Sequence, residues 1–385
     1  MKVYESGGLS AVEITRPANL RENSEAFLPE GSVIDQLIGP FTTSGSTGKA
    51  KRIYLSERDT KIIASTYFDG LLRGQSPIAK GELYLVSMLD RPGSLGRYIA
   101  ERIVPQTGYD AEICSALEPE RLADRMMQIK CPFVLRSGLP IASKLLDILK
   151  ARNFNPRESM LRRMNLGGGI MSREASGRLM REFGIEVLGV YGMTEIGGDL
   201  VAVETEPGSG IYKFTCRPYL IQELVPHSTY PALHEVVLTV LNREGTQLIR
   251  YGTQDLVRLQ DDGTTFEIVG RYDDEVIFGQ MNMLWNYRVE QEIEKHLGTA
   301  NFSIVLEQSD EGIDTFIVSM EGTNVTENQL AHSFVEALAE IDGIAERHFR
   351  LGYYKVTLRT QKPKPRMLGH KVQRFKDLRR SKKNR

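Results

Sequence analysis

Ten consecutive residues gather hydroxyls, glycines and ammonium groups: Thr42-Thr43-Ser44-Gly45-Ser46-Thr47-Gly48-Lys49-Ala50-Lys51. Glycines at Gly45 and Gly48 let backbone N–H groups turn toward one point. The side-chain hydroxyls and two lysines add further donors around that point. A nest of this composition suits a polyphosphate. The plain alternative is a polar surface turn, because Gly/Ser loops are common.

One reading of the run fails on spacing. A Walker A loop needs four residues between its glycines and a Ser or Thr after the lysine. Here two residues separate Gly45 from Gly48, and Ala50 follows Lys49. An ordinary P-loop NTPase is therefore not expected. Metal chemistry built on the protein alone is not expected either. The six histidines form no paired motif, and Cys114, Cys131 and Cys216 lie far apart with no Cys-x-x-Cys. The cysteines read as reduced thiols of a cytoplasmic protein. A magnesium ion brought in by a nucleotide would need no such cluster.

Composition narrows the class further. The chain has 385 residues, 41% apolar and 26% charged, with a formal net charge of −1. That length allows two domains with a substantial core. Bulk charge implies neither a nucleic-acid nor a membrane partner. No apolar run reaches the roughly 20 residues of a membrane span, and no secretory signal is evident at the N-terminus. The basic tail around Arg379 and Arg380 reads as a solvated end.

The elements that must position these groups alternate. An apolar β-branched segment follows the loop, and Ser56-Glu57-Arg58-Asp59 reads as a helix cap. Helical periodicity covers 57–73, 94–104, 118–129, 141–149 and 172–183. Short apolar runs at 83–88, 111–114, 132–135 and 185–190 read as strands. Alternation of this kind predicts a mainly parallel α/β sheet, with ligands on loops at the C-terminal strand ends. Two such loops contain Gly167-Gly168-Gly169 and Tyr191-Gly192-Met193-Thr194-Glu195. From about 201 to 270 the pattern changes to short strands at 236–241, 248–250, 256–259 and 265–269. It predicts a mostly antiparallel β subdomain. Residues 1–272 then make a large N-terminal domain, and 273–385 a small C-terminal αβ domain with helices at 289–297 and 326–340.

Five stretches in order resemble the adenylate-forming superfamily, and among its branches the phenylacetate-CoA ligases. They are the 43–51 loop, Tyr191-Gly192-Met193-Thr194-Glu195, Leu248-Ile249-Arg250-Tyr251-Gly252-Thr253-Gln254-Asp255-Leu256, Gly270-Arg271-Tyr272-Asp273-Asp274, and Lys371-Val372-Gln373-Arg374. The resemblance implies the adenylate-forming fold, α/β with a β subdomain and a small mobile C-terminal domain hinged near Asp273. It implies that Thr43, Ser44, Gly45, Ser46, Thr47, Gly48 and Lys51 hold the ATP phosphates. Tyr191 would stack on adenine and Thr194 would bond the α-phosphate. Glu195 would hold Mg²⁺, Asp255 the ribose hydroxyls, and Arg271 the ribose or phosphate. Lys371 would offset the charge that builds as a carboxylate attacks the α-phosphorus. Its plain alternative is one more lysine of a basic tail.

The implied activity is conversion of a carboxylic acid and ATP to acyl-AMP and pyrophosphate, then transfer to CoA. Transfer to a carrier protein, or a degraded nucleotide-binding protein, are the alternatives. Relatives of this branch are often homodimers. Gly167, Gly168, Gly169 and Gly192 would flank the acyl pocket, and their lack of bulk favours an aryl acid. The chain departs from the family in four places. His370 stands where glycine usually precedes the lysine, Ala50 replaces a common proline, and the Gly167–Gly169 stretch lacks the family's carboxylate. Only about 40 residues precede the loop, so a shortened N-terminal subdomain is expected.

Overall fold

The computed structural model describes residues 9, 11–42, 51–67, 82–88, 93–108, 110–116, 118–167, 173–198, 200–215, 217–228, 232–271, 275–278, 282–297, 301–308, 313–321, 324–341, 345–352, 354–363, 366–368 and 371–378. The chain divides into two compact units, Met1–Ile268 and Val269–Arg385.

In the first unit β1 (Ile38–Thr42) and β2 (Arg52–Leu55) form an antiparallel pair on either side of the hydroxyl-rich loop. The main sheet contains β3 (Leu83–Met88), β4 (Asp110–Ser115), β5 (Phe133–Ser137), β6 (Leu161–Leu166) and β7 (Glu186–Gly192). These five strands run parallel in the order β4-β3-β5-β6-β7. Helices Pro119–Gln128, Leu139–Ala151 and Arg173–Phe183 supply the crossovers. Period-two alternation divides each strand between two cores. Leu85, Leu135, Met164 and Val187 join the crossover helices. Tyr84, Val86, Val134, Leu188 and Val190 face the other way, toward helix Glu57–Thr66 and the turns around Leu95 and Ile99. Helix Glu57–Thr66 starts with the expected capping box, in which Ser56 Oγ accepts from Asp59 N and Asp59 accepts from Ser56 N.

The expected β subdomain is a continuation of this sheet. Beyond β7 come β8 (Leu200–Glu204), β9 (Ile211–Phe214), β10 (Leu220–Pro226), β11 (Leu233–Val240), β12 (Tyr251–Leu259) and β13 (Thr265–Arg271). They extend it in the order β7-β8-β9-β13-β12-β11-β10, giving 11 strands among the described residues. Glu204 pins the turn between β8 and β9. Its carboxylate accepts the amides of Gly189, Gly208 and Gly210 at 2.6, 3.2 and 2.8 Å. Burial pushes its pKa up despite these donors.

The second unit has a four-stranded sheet among the described residues, ordered β18-β17-β16-β21. Its strands are β16 (Phe302–Gln308), β17 (Asp314–Met320), β18 (Tyr354–Thr360) and β21 (Phe375–Asp377), and helices Asn286–Leu297 and Glu327–Ile341 cover it. Two hairpins accompany the sheet, β14 (Glu275–Phe278) with β15 (Asn282–Trp285), and β19 (Arg366–Leu368) with β20 (Lys371–Gln373). Among the described residues no helix is long and apolar enough to cross a membrane.

Glu290 ties helix Asn286–Leu297 to the start of β21. It accepts the amides of Arg374 and Phe375 at 3.2 and 3.1 Å, with Arg374 Nη1 at 3.5 Å. Burial outweighs these donors and raises its pKa to about 7 from 4.5. A raised carboxyl pKa favours the folded state while the group is protonated. That contribution is full below 4.5 and is lost as pH rises through 7. Amide exchange in β16 of the whole protein is therefore expected to quicken beyond its intrinsic pH dependence between about pH 5 and 8. Glu290→Gln should remove this excess, and an excess unchanged in the variant would refute the assignment.

Candidate active site

Four stretches far apart in sequence meet at the C-terminal end of β7. Lys51 enters from the residue before β2, and Glu195 from a 3₁₀ turn, Thr194–Ile196, that follows β7. Tyr251 opens β12, and Arg243 comes from the β11–β12 connection. The turn forms because Gly197 adopts φ 84° and returns its N–H to Thr194 O at 2.9 Å. A side chain there is strained by this backbone angle, and a Cβ on Gly197 would lie 2.6 Å from Ile63 Cδ1, which must shift. Arg243 closes the turn from outside, donating to Glu195 O at 3.3 Å and Ile196 O at 2.8 Å.

Lys51 Nζ and Glu195 Oε1 form a buried ion pair, with side chains 10% and 9% exposed. The Tyr251 hydroxyl stands 3.1 Å from each. It accepts from the ammonium and donates to the carboxylate, so the three groups satisfy one another where water is excluded. The pairing also fixes Glu195 at the mouth of the turn.

A second pair lies alongside. Tyr191, near the end of β7, donates its hydroxyl to Asp255 Oδ2 at 2.6 Å. An irregularity in the β11–β12 register brings Asp255 there. Glu235 pairs with Leu256 and Val237 with Gly252, so β12 carries extra residues. Gln254 takes φ 64° inside that bulge, and its amide bonds Glu235 Oε1 at 3.1 Å. Arg16 Nη1 holds both oxygens of Glu235 at 2.8 Å. Left-handed backbone at a non-glycine residue costs of order 1 kcal/mol. The Glu235 clamp is what holds Gln254 in it.

The structure thus brings together Lys51, Tyr191, Thr194, Glu195 and Asp255 of the sequence-based candidates, with Gly192 ending β7. Thr43, Ser44, Gly45, Ser46, Thr47, Gly48, Gly168, Gly169 and the hinge candidate Asp273 lie outside the described residues. Arg271 ends β13 and Lys371 starts β20, both in the second unit. Gly167 is a glycine for a different reason from the expected open pocket. A Cβ there would meet Val190 O at 2.7 Å and Arg136 Nη1 at 2.8 Å, so the space is filled. Arg243 and Glu235 escaped sequence reading because both act through main-chain groups and carry no local motif. Tyr251 lies inside the quoted ribose stretch, and only the tertiary contact reveals its part.

Among the described residues no group of three or more His, Cys, Asp or Glu could hold a metal ion. A lone carboxylate still fits magnesium, which keeps several waters and takes most other ligands from nucleotide phosphates.

No family model matches the chain. In sequence it is similar to the phenylacetate-coenzyme A ligase of Pseudomonas putida, 26% identical over 281 residues, covering 68% of this chain and 60% of that protein. It is likewise similar to the phenylacetate-coenzyme A ligase of Escherichia coli strain K12, 26% identical over 310 residues, covering 76% and 68%. In structure it matches a 2-hydroxyisobutyryl-CoA ligase in the postadenylation state with 2-HIB-AMP. The TM-score is 0.71 at 19% identity, over 97% of this chain and 81% of that one. This is the adenylate-forming fold. A second example of the fold, a benzoate CoA ligase from Burkholderia xenovorans LB400, matches with a TM-score of 0.63 at 15% identity, over 90% and 69%. The chain spans 60% of the Pseudomonas relative. In this chain Tyr191, Glu195, Lys51 and Asp255 gather about the C-terminal end of β7, and open α/β sheets bind ligands at that edge.

Proposed function

We propose that the chain activates a carboxylic acid with ATP and transfers the acyl group to CoA. The observation that carries this reading is the convergence of Lys51, Glu195, Tyr191 and Asp255 at the end of β7. These residues come from three of the stretches that resemble adenylate-forming enzymes. The phenylacetate-CoA ligases it resembles in sequence support the ligase chemistry and an aromatic acid.

In the first step a carboxylate oxygen bonds to the α-phosphorus. The bond from that phosphorus to the bridging oxygen breaks, and pyrophosphate leaves with the electron pair. The nucleophile is already ionised, so positioning and charge stabilisation matter more than a general base. The half-exposed Tyr191 ring offers a face to adenine, and the Asp255 carboxylate accepts ribose hydroxyls. Lys51 and the 43–51 loop supply positive charge and donors to the departing phosphates. Glu195 would hold Mg²⁺, which screens phosphate charge. By the resemblance, Lys371 would offset the charge that builds as the carboxylate attacks. In the second step the CoA thiol gives its proton to water, its sulfur bonds to the acyl carbon, and the bond from that carbon to the phosphate oxygen breaks, so AMP leaves with the electron pair.

Acid-dependent exchange of labelled pyrophosphate into ATP tests the first step, and product analysis with and without CoA tests the second. Exchange with aryl acids, and acyl-CoA only when CoA is present, is the expected result. No exchange with any acid in a broad panel, from protein that still binds ATP, would overturn the proposal.

A further inference from the structure

Arg136 is a positively charged side chain in a row that should be apolar. Register places Val86, Arg136, Asn165 and Leu188 side by side across β3, β5, β6 and β7, all on the face turned away from the crossover helices. Val86, Asn165 and Leu188 are 1%, 1% and 3% exposed. Arg136 is half-buried among them.

Its charge is poorly compensated. Arg136 Nη1 donates to Asn165 O at 3.2 Å, and among the described residues no carboxylate pairs with it. A guanidinium has five N–H donors and stays protonated. A partly buried charge without a counter-charge is costly unless something supplies acceptors. Around it lies a polar string in the apolar layer. The Tyr84 hydroxyl is buried near the side chains of Tyr67 and Asn165, and burial raises its pKa well above the usual phenol range. The Oδ1 of Asn165 is fully enclosed and has no donor.

The guanidinium points to the strand ends. Val190 O and Arg136 Nη1 both lie within 2.8 Å of the place where a Gly167 Cβ would sit. Val190 is the residue before Tyr191. The guanidinium therefore lies at the C-terminal end of β6, near Gly167 and Val190 O, one residue before Tyr191 of the proposed nucleotide site.

We propose that Arg136 reads a second oxygen acceptor on the substrate acid, a carboxylate or phenolic oxygen remote from the carboxylate being activated. This rests on the activation reading and deepens it. The glycine at 167 is then part of the same device, because a side chain there would displace the guanidinium. An acid without the distal oxygen leaves the guanidinium unpaired, and that discriminates more strongly than one apolar contact can.

The test compares matched acids: benzoate, 4-hydroxybenzoate and terephthalate, with phenylacetate and 4-hydroxyphenylacetate. Pyrophosphate exchange gives kcat/KM, and calorimetry with AMP present gives acid affinity. The wild type should favour an oxygen-bearing acid over its parent by about 10- to 100-fold, and the winner tells carboxylate from phenol. Arg136→Met should abolish that preference while the parent acid and the KM for ATP change by less than about threefold. Arg136→Lys should keep part of it, and thermal melting confirms that each variant is folded. Equal use of parent and substituted acids by the wild type would overturn the inference. So would a loss shared by every acid in Arg136→Met, or a rise confined to the KM for ATP. If no acid supports exchange yet calorimetry shows the same Arg136-dependent preference, the inference stands and the activation reading fails. If no oxygen-bearing acid binds at all, the inference fails.

Discussion

Glu195→Ala is expected to destabilise the first unit by about 3–5 kcal/mol, well beyond what loss of a surface carboxylate costs. The carboxylate lies in a site where Lys51 is 10% exposed and Glu195 9%. Truncation leaves the ammonium buried with only the Tyr251 hydroxyl among the partners shown here. Lys51→Met should cost a similar amount, because it leaves the carboxylate uncompensated. The double variant Lys51→Met/Glu195→Leu should recover much of the loss, since no buried charge remains unpaired. A double-mutant cycle in urea then returns a coupling well above the 1 kcal/mol that exposed pairs rarely exceed. Single variants that each cost less than about 1 kcal/mol would show that the pair is not buried in solution. Activity separates the roles: all three variants should lose pyrophosphate exchange, whereas only the single variants should lose stability.

The pair also shows which features the sequence could reveal. Lys51 and Glu195 were each nominated by their neighbours, as end members of a hydroxyl-rich loop and of Tyr191-Gly192-Met193-Thr194-Glu195. That they touch could not be read, because 144 residues separate them and neither motif encodes its partner. Backbone devices were less legible still. The stretch 248–250 reads as strand by composition, yet Arg250 takes φ 43° and Ile249 is 50% exposed. The strand starts only at Tyr251. The helix expected over 94–104 begins as an α-helix at Leu95–Tyr98 and widens into a π-turn at Ile99–Ile103. Pro105 follows, without a donor and with a ring that crowds the preceding turn.

The parallel half of the sheet was legible because each strand is a short apolar run between amphipathic helices, a pattern that leaves few topologies. Strands β8, β9 and β10 were not. Gln222 and Glu223 break the apolar run of β10, and β9 has only four residues. Their position follows from pairing: β8 continues from β7 with Val190 opposite Val203. One strand, β7, thus borders both the parallel and the antiparallel regions and carries Tyr191 at its end. Ligands of open α/β sheets sit outside the carboxyl ends of the parallel strands, and β7 brings Tyr191 to that edge.

Lys371→Ala is expected to lower acid-dependent pyrophosphate exchange by about 10²–10³-fold, the loss seen when one donor to a developing anion is removed. The lysine opens β20, facing Leu368 across the β19–β20 hairpin. Three residues later Glu290 holds the Arg374 and Phe375 amides, so the base of the lysine's segment is tied to helix Asn286–Leu297. The backbone that follows the lysine is therefore anchored at Arg374 and Phe375. Charge repulsion between carboxylate and α-phosphate is specific to the adenylation step. In thiolysis of supplied acyl-AMP the sulfur attacks the acyl carbon and not the α-phosphorus, so this half-reaction should fall by less than about tenfold. Urea unfolding should be unchanged. Lys371→Arg keeps the charge but not the compact ammonium, and should recover only part of the rate. Exchange at the wild-type rate in Lys371→Ala would return the residue to the basic tail. An equal loss in both half-reactions would make it a general anion-binding group and leave the attack on the α-phosphorus to Lys51 and the loop that precedes it.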